Sequence, residues 1–160
     1  MEYAQYGEWC DEPDREDFVY AELPCIISRN EALGNLCGYV GVPPSHPDHG
    51  KDWEAVQELQ VHGGITWAAP CDEIRKEPEG YWWFGFDCAH ACDYYPPPAE
   101  WPANLVQMHI ERSGLDLDHY RNWAYVRNEI QQLADQLVSR IEMPSYEEWL
   151  EKQKKEVETE

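Results

Sequence analysis

The chain has 160 residues, and its 32 acidic and 12 basic side chains give a formal net charge of −20. That balance argues against direct binding to a nucleic-acid backbone, whose affinity for protein comes from Lys and Arg. The lack of any apolar run of about 18 residues argues against a membrane-spanning helix. Eight Trp, ten Tyr and three Phe can each bury roughly 150–250 Å², enough for one domain with a real core.

Residues 1–17 carry Glu2, Glu8, Asp11, Glu12, Asp14, Glu16 and Asp17 against Arg15 alone and show no clear periodicity. They are expected to form an acidic lead-in or arm. The start has neither the basic residues nor the apolar stretch of a secretory signal, so a cytosolic setting with free thiols is expected. Phe18 to Ile27 reads as a strand with Pro24 at an edge or bulge, residues 29–35 as a turn, and Leu36 to Val42 as a second strand. A Pro- and Gly-rich loop over residues 43–50 precedes a short helix from Lys51 to Leu59.

Val61 to Trp67 and Tyr81 to His90 are dense in aromatic and β-branched residues and read as two antiparallel strands. Placing Trp67 opposite Trp82 puts Ile65 by Phe84 and Val61 by Cys88 on an apolar face. The other face then carries Thr66 by Trp83, Gly64 by Gly85, and His62 by Asp87. Two facing glycines leave a gap in the side-chain layer, a place for close approach.

Residues 91–116 read as irregular, with a helical turn or two near Leu105 to Glu111. Tyr120, Trp123, Ala124, Ile130, Leu133, Ala134, Leu137, Val138 and Ile141 recur at three and four, predicting a helix from about Asp118 to Ile141. Arg127 interrupts the stripe, and its stem is expected to cover it while its head stays wet. Asp116 or Asp118 is the expected cap and Pro144 the stop. Ser145-Tyr146-Glu147-Glu148 has the pattern of a capping box before a short last helix through Trp149 and Leu150. The pattern predicts an α+β fold. A globular domain over 18–143 would hold a mainly antiparallel sheet of about four strands packed on a long C-terminal helix. Residues 144–160 would form a short helix and charged tail.

The outward face of the predicted strand pair holds the chemistry. A His oriented by an Asp can serve as a general base, so His62 and Asp87 are the candidate catalytic pair. Lys51, His62, Gly64, Thr66, Trp83, Gly85, Asp87 and His90 are the candidate ligand-binding residues: a flat aromatic wall, a gap and a few polar groups suit a nucleotide-like molecule. Lys51 and Arg121 would supply local positive charge. Cys88, His90 and Cys92 pack three potential zinc ligands into five residues, but the spacing is not that of a usual zinc knuckle, so inert thiols are the simpler expectation. No HExxH, GxSxG, P-loop or GxGxxG pattern occurs, and no cofactor is named by the sequence.

The ordered segments Gly38-Tyr39-Val40-Gly41-Val42-Pro43, His46-Pro47, Gly50-Lys51-Asp52, Val61-His62-Gly63-Gly64-Ile65-Thr66, Trp82-Trp83-Phe84-Gly85-Phe86-Asp87-Cys88-Ala89-His90 and Tyr120-Arg121 resemble a family of small proteins encoded by bacteriophages and prophages. The resemblance covers roughly residues 36–138. It carries over no catalytic residues. It implies a phage accessory protein, with anti-defence action one of its expected roles, working in the cytoplasm of a bacterial host. Three functions are then open: binding of a small polar ligand; an acidic surface that engages a basic host protein or mimics a nucleic acid; and a His/Asp- or metal-dependent enzyme.

Overall fold

The computed structural model describes residues 8–96, 101–102, 104–105, 107–108, 119–142 and 146–158. After a 3-10 turn at Glu8–Asp11 come β1 (Arg15–Tyr20), β2 (Leu23–Arg29), β3 (Leu36–Val42), β4 (Trp67–Pro70), β5 (Trp82–Asp87), α1 (Trp123–Glu142) and α2 (Tyr146–Glu158). The strands form one five-stranded sheet in the order β1-β2-β3-β5-β4, and every neighbouring pair is antiparallel. The expected α+β class is present, with α1 packed across one face. No helix among the described residues is long and apolar enough to cross a membrane.

The extra strand comes from the first predicted one. The segment expected to run straight from Phe18 to Ile27 is a hairpin, with Val19 paired to Pro24 and Tyr20 to Leu23. Ala21 and Glu22 make the turn with φ of 52° and 66°. Two central residues at positive φ match the right-handed twist of the flanking strands, and Asn-Gly is the usual sequence for it. Ala-Glu gives no such signal. Pro24 sits beyond the β2–β3 pairing, which begins at Cys25, so its missing N–H interrupts no ladder bond with β3.

The face toward α1 follows from alternation. Cys25 and Ile27 of β2, Leu36, Val40 and Val42 of β3, and Phe84 and Phe86 of β5 form one buried cluster with Val126, Ile130, Leu133, Ala134 and Leu137 of α1. The stripe ends earlier than its sequence suggests, since Ile141 is exposed. The helix starts later, at Trp123, where Asn122 Oδ1 accepts the Tyr125 N–H at 2.8 Å; Asp116 and Asp118 lie outside the described residues. The Arg127 guanidinium lies over the rings of Phe18 (4.3 Å) and Trp123 (5.0 Å), so the charged head, expected to stay wet, packs on aromatic faces. Pro144 and Ser145 are also outside the described residues, and helix continues past Leu150 to Glu158.

The N-terminal boundary shifts as well. β1 begins at Arg15, inside the segment read as an arm, and Trp9 and Glu12 before it are tied to the body. Trp9 packs on Tyr94 and Tyr120. Glu12 accepts hydrogen bonds from the Tyr120 hydroxyl and the Trp123 N–H, and from Arg29 Nη2 at 3.4 Å. A carboxylate at the first N–H groups of α1 also meets the positive end of the helix.

The second face of the sheet has its own smaller core. Ile26, Cys71 and Trp83 are buried there, with Tyr39, Trp67, Ile74 and Tyr81 packed around them. The segment after β4 covers Trp83, and Arg75 lies 5.1 Å above its ring while pairing with Asp17 at 2.9 Å. Trp83 is fully buried; its neighbour Trp82 is only partly so and donates its indole N–H to the Lys51 carbonyl at 2.8 Å. Trp83→Ala is therefore expected to cost about 3–5 kcal/mol, the usual range for emptying a core aromatic site. Trp82→Ala is expected to cost clearly less. Urea denaturation of the two variants checks this order, and equal or reversed losses would contradict the burial described.

Candidate functional site

The site departs from its sequence reading at one pairing. Trp67 stands opposite Gly85, and Ala69 opposite Trp83. That is three residues along β5 from the expected Trp67–Trp82 pairing, and an odd slip exchanges the faces of the partner strand. The slip arises because residues 61–66 are not extended. Gly63 and Gly64 have φ of +69° and +80°, a region that L side chains rarely adopt, and the Gly64 N–H donates to the Val61 carbonyl at 2.9 Å. The glycine pair is a turn, and the strand begins only at Trp67.

The outward residues of β5 remain as predicted: Trp83, Gly85 and Asp87 share the face opposite α1. The aromatic wall changes. Trp83, expected to line the site, is buried under Arg75, and Trp67 and Tyr39 take its place. Both are cross-strand partners of Gly85, one from each side. Their rings meet edge to face at 5.4 Å. Gly85 is needed for this, because a Cβ there would lie 2.6 Å from a Tyr39 ring carbon and 3.3 Å from one of Trp67. The gap expected over Gly85 is therefore filled by a ring, and Gly64 does not face it; a Cβ on Gly64 would meet Gln57 instead.

Beside these rings is an open pocket of about 340 Å³ lined by Tyr39, Trp67, Thr66, Asp87, Cys37, Asn30 and Asn35, among others. Asp87 is its one charged lining residue among the described residues. Its two oxygens each accept one hydrogen bond, from Thr66 Oγ1 at 2.9 Å and from the Ala89 N–H at 3.1 Å. Asn35 is buried, and its Oδ1 has no hydrogen-bond partner among the described residues. Burial pushes the Cys37 thiol up to about 11, helped by the Asp87 charge, and burial also raises the Tyr39 phenol. Both groups are thus neutral near pH 7.

His62 is engaged elsewhere. Its Nε2 lies 2.8 Å from Asp93 Oδ2 and its Nδ1 2.8 Å from the Tyr125 hydroxyl. An ionised carboxylate only accepts, so Nε2 donates to Asp93, and Nδ1 shares a hydrogen bond with the Tyr125 hydroxyl. Asp93, not Asp87, is the partner of His62. The backbone N–H of His62 donates to Glu129 at 3.0 Å. Asp93 also receives the His90 N–H at 3.0 Å and Arg121 Nε at 3.0 Å. Both ring nitrogens of His62 are thereby occupied, which leaves none for a substrate, and burial raises the Tyr125 phenol away from ready ionisation. The cluster ties the 61–64 turn and the loop after β5 to the start of α1.

His90 joins the two regions. Its Nε2 is 3.4 Å from Asp87 Oδ1, and its ring lies 5.9 Å from that of His62. Lys51 is not with them. It pairs with Asp48 at 2.9 Å, which in turn takes Arg140 at 2.6 Å. Its carbonyl meets Trp82, five residues along β5 from Asp87, or about 16 Å at roughly 3.3 Å per residue. Arg121 is likewise committed to Asp93. Cys88 is buried, and its thiol is raised by that burial and by Asp93, whereas Cys92 is exposed. No group of three His, Cys, Asp or Glu able to hold a metal occurs among the described residues.

The sequence reading therefore named Thr66, Gly85 and Asp87 of the pocket, and missed Tyr39, Trp67, Asn30 and Asn35. Alternation along β3 placed Cys37 and Tyr39 on one face, but only the β3–β5 pairing brings them to Gly85 and Asp87.

Burial would raise the Asp93 carboxyl, but the hydrogen bonds from His62, the His90 N–H and Arg121 outweigh it and hold it below its ordinary value. A lowered carboxyl stabilises the fold above its unfolded value of about 3.9, and that stabilisation is lost as pH falls through the folded value. Asp93→Asn is expected to lose about 3 kcal/mol near pH 7, since it strips a buried partner from Arg121 and His62. The gap from the native protein is expected to narrow below about pH 4. Urea melts from pH 3 to 7 measure it, and a gap independent of pH would contradict the assignment. Comparison of the chain with protein-family models, with curated proteins and with solved structures finds no match.

Proposed function

We propose that this is a phage accessory protein that binds a small, flat, polar ligand in the pocket beside Tyr39, Trp67, Thr66 and Asp87, in the cytoplasm of a bacterial host. The observation that carries the reading is the Asp87 carboxylate, which keeps lone pairs beyond its bonds to Thr66 and Ala89 and stands in the same pocket as two aromatic rings. Two aromatic rings on the same pocket favour a planar ligand. The volume, about 340 Å³, is at the small end for ligand sites, which span roughly 300–1,000 Å³. No Lys or Arg among the described residues lines the pocket. For a nucleotide-like ligand this favours entry of the base, not of the phosphates.

A second reading is supported by charge. Arg15, Arg29, Arg75, Arg121, Arg127 and Arg140, all the arginines among the described residues, are ion-paired within the fold. The excess of acids is therefore presented outward, and a basic host protein would be steered toward it. The enzyme reading draws no support from His62, whose ring nitrogens are both occupied.

The ligand reading is tested by two-dimensional amide NMR of the protein titrated with nucleosides, nucleotides, amino acids and polyamines. The expected result is a compound whose shifts cluster at Tyr39, Thr66, Trp67 and Asp87, with affinity reduced by about 1–3 kcal/mol in Trp67→Ala if a flat group stacks there. Shifts confined to His62 and Asp93, or none with any compound, would reject the pocket.

A further inference from the structure

We infer that the group recognised by this pocket is a guanidinium, the charged end of an arginine. The inference rests on the pocket reading above and sharpens its ligand class. It begins with an exception among the carboxylates. Asp17, Asp48 and Asp93 each take at least one Arg or Lys at 3.0 Å or closer. Asp87 takes none. Its neighbours are a hydroxyl, a backbone N–H and the His90 ring, whose Nε2 at 3.4 Å makes no hydrogen bond. Yet its side chain is only 32 % exposed. In a protein that neutralises its other partly buried aspartates with cations, this one is left open at a pocket.

The geometry of acceptance is two-pronged. An ionised carboxylate has about four lone-pair sites, and the Thr66 and Ala89 bonds use one on each oxygen. One site on each oxygen is therefore left for a parallel pair of N–H donors. A guanidinium presents such a fork. The rings of Tyr39 and Trp67 add faces that attract a cation. A guanine base also offers paired N–H donors, so the donor pattern alone does not choose between the two. Charge does. Among the described residues the pocket has one carboxylate and no basic residue, within a chain of net charge −20, which attracts a cation and repels a nucleotide's phosphates.

The test is isothermal titration of the intact protein with N-acetyl-arginine amide, N-acetyl-citrulline amide, N-acetyl-lysine amide and guanosine. Citrulline keeps the shape of arginine and removes its charge. The arginine compound is expected to bind at least tenfold more tightly than the citrulline and lysine compounds, and at least tenfold more weakly to Asp87→Asn whose melting temperature is unchanged. Trp67→Leu is expected to weaken it as well, which keeps the test open if Asp87→Asn does not fold. Free arginine and agmatine, run beside a short arginine-containing peptide, distinguish a metabolite from a protein side chain as the source; preference for either supports a guanidinium. Binding of guanosine without arginine would overturn the inference and leave the pocket reading intact. Equal binding of arginine and lysine compounds would reduce it to general charge attraction and overturn it. No binding by any of the four would overturn the inference, while the wider NMR titration decides the pocket reading separately.

Discussion

The absence of a side chain at Gly85 is the constraint on which the outer half of this structure depends. Gly85 stands between Tyr39 of β3 and Trp67 of β4, and both rings cross toward it. Even a methyl group would come within 2.6 Å of the Tyr39 ring, closer than packed atoms are found. Because the position is empty, the two rings meet edge to face and form a wall. Asp87, two residues further on the same face, then stands at the edge of that wall instead of beneath it. On the other side of the strand, Phe84 and Phe86 point into the core with α1. One strand thus anchors the fold with one set of side chains and builds a pocket with the other.

Charge is organised around the same strand. Arginines serve as internal struts: Arg29 joins the N-terminal segment to the β2 edge, Arg75 clamps the loop over Trp83 to β1, Arg121 closes the Asp93 cluster, and Arg140 holds the loop after β3 to the end of α1. Each strut spans distant parts of the chain and joins segments that have little regular structure. Basic groups committed in this way are not available to bind phosphate, and the outward excess of acid follows. Asp87 stands apart because no Lys or Arg among the described residues pairs with it, and this singles it out in an acidic protein.

Much of the fold was legible in the sequence. The β3 limits, the inward set Phe84 and Phe86, the outward set Gly85 and Asp87, and the body of α1 all follow from periodicity. The β1–β2 hairpin was hidden because Ala21 and Glu22 adopt positive φ without the residues that normally announce it. Val61 to Thr66 imitates a strand, because apolar Val61 and Ile65 flank small and polar residues at strand spacing. Only the Gly63-Gly64 pair distinguishes it: the sequence pattern sets Gly64 across from Gly85 beside a gap, whereas Gly63 and Gly64 make a turn. The site inherited that error. Gly85 and Asp87 follow from alternation along β5 and Thr66 from alternation along the segment before β4, whereas Tyr39 and Trp67 need the register of three strands. Trp83 was correctly placed outward but not expected to be covered, since the segment that buries it gives no pattern of its own.

The central claim is that an empty position at residue 85 shapes a binding pocket. The most direct measurement is the affinity of Gly85→Ala for N-acetyl-arginine amide, with amide NMR spectra to report the state of the sheet. The account predicts an intact sheet, displaced Tyr39 and Trp67 resonances, and binding weakened at least tenfold. Unchanged affinity with displaced rings would contradict it.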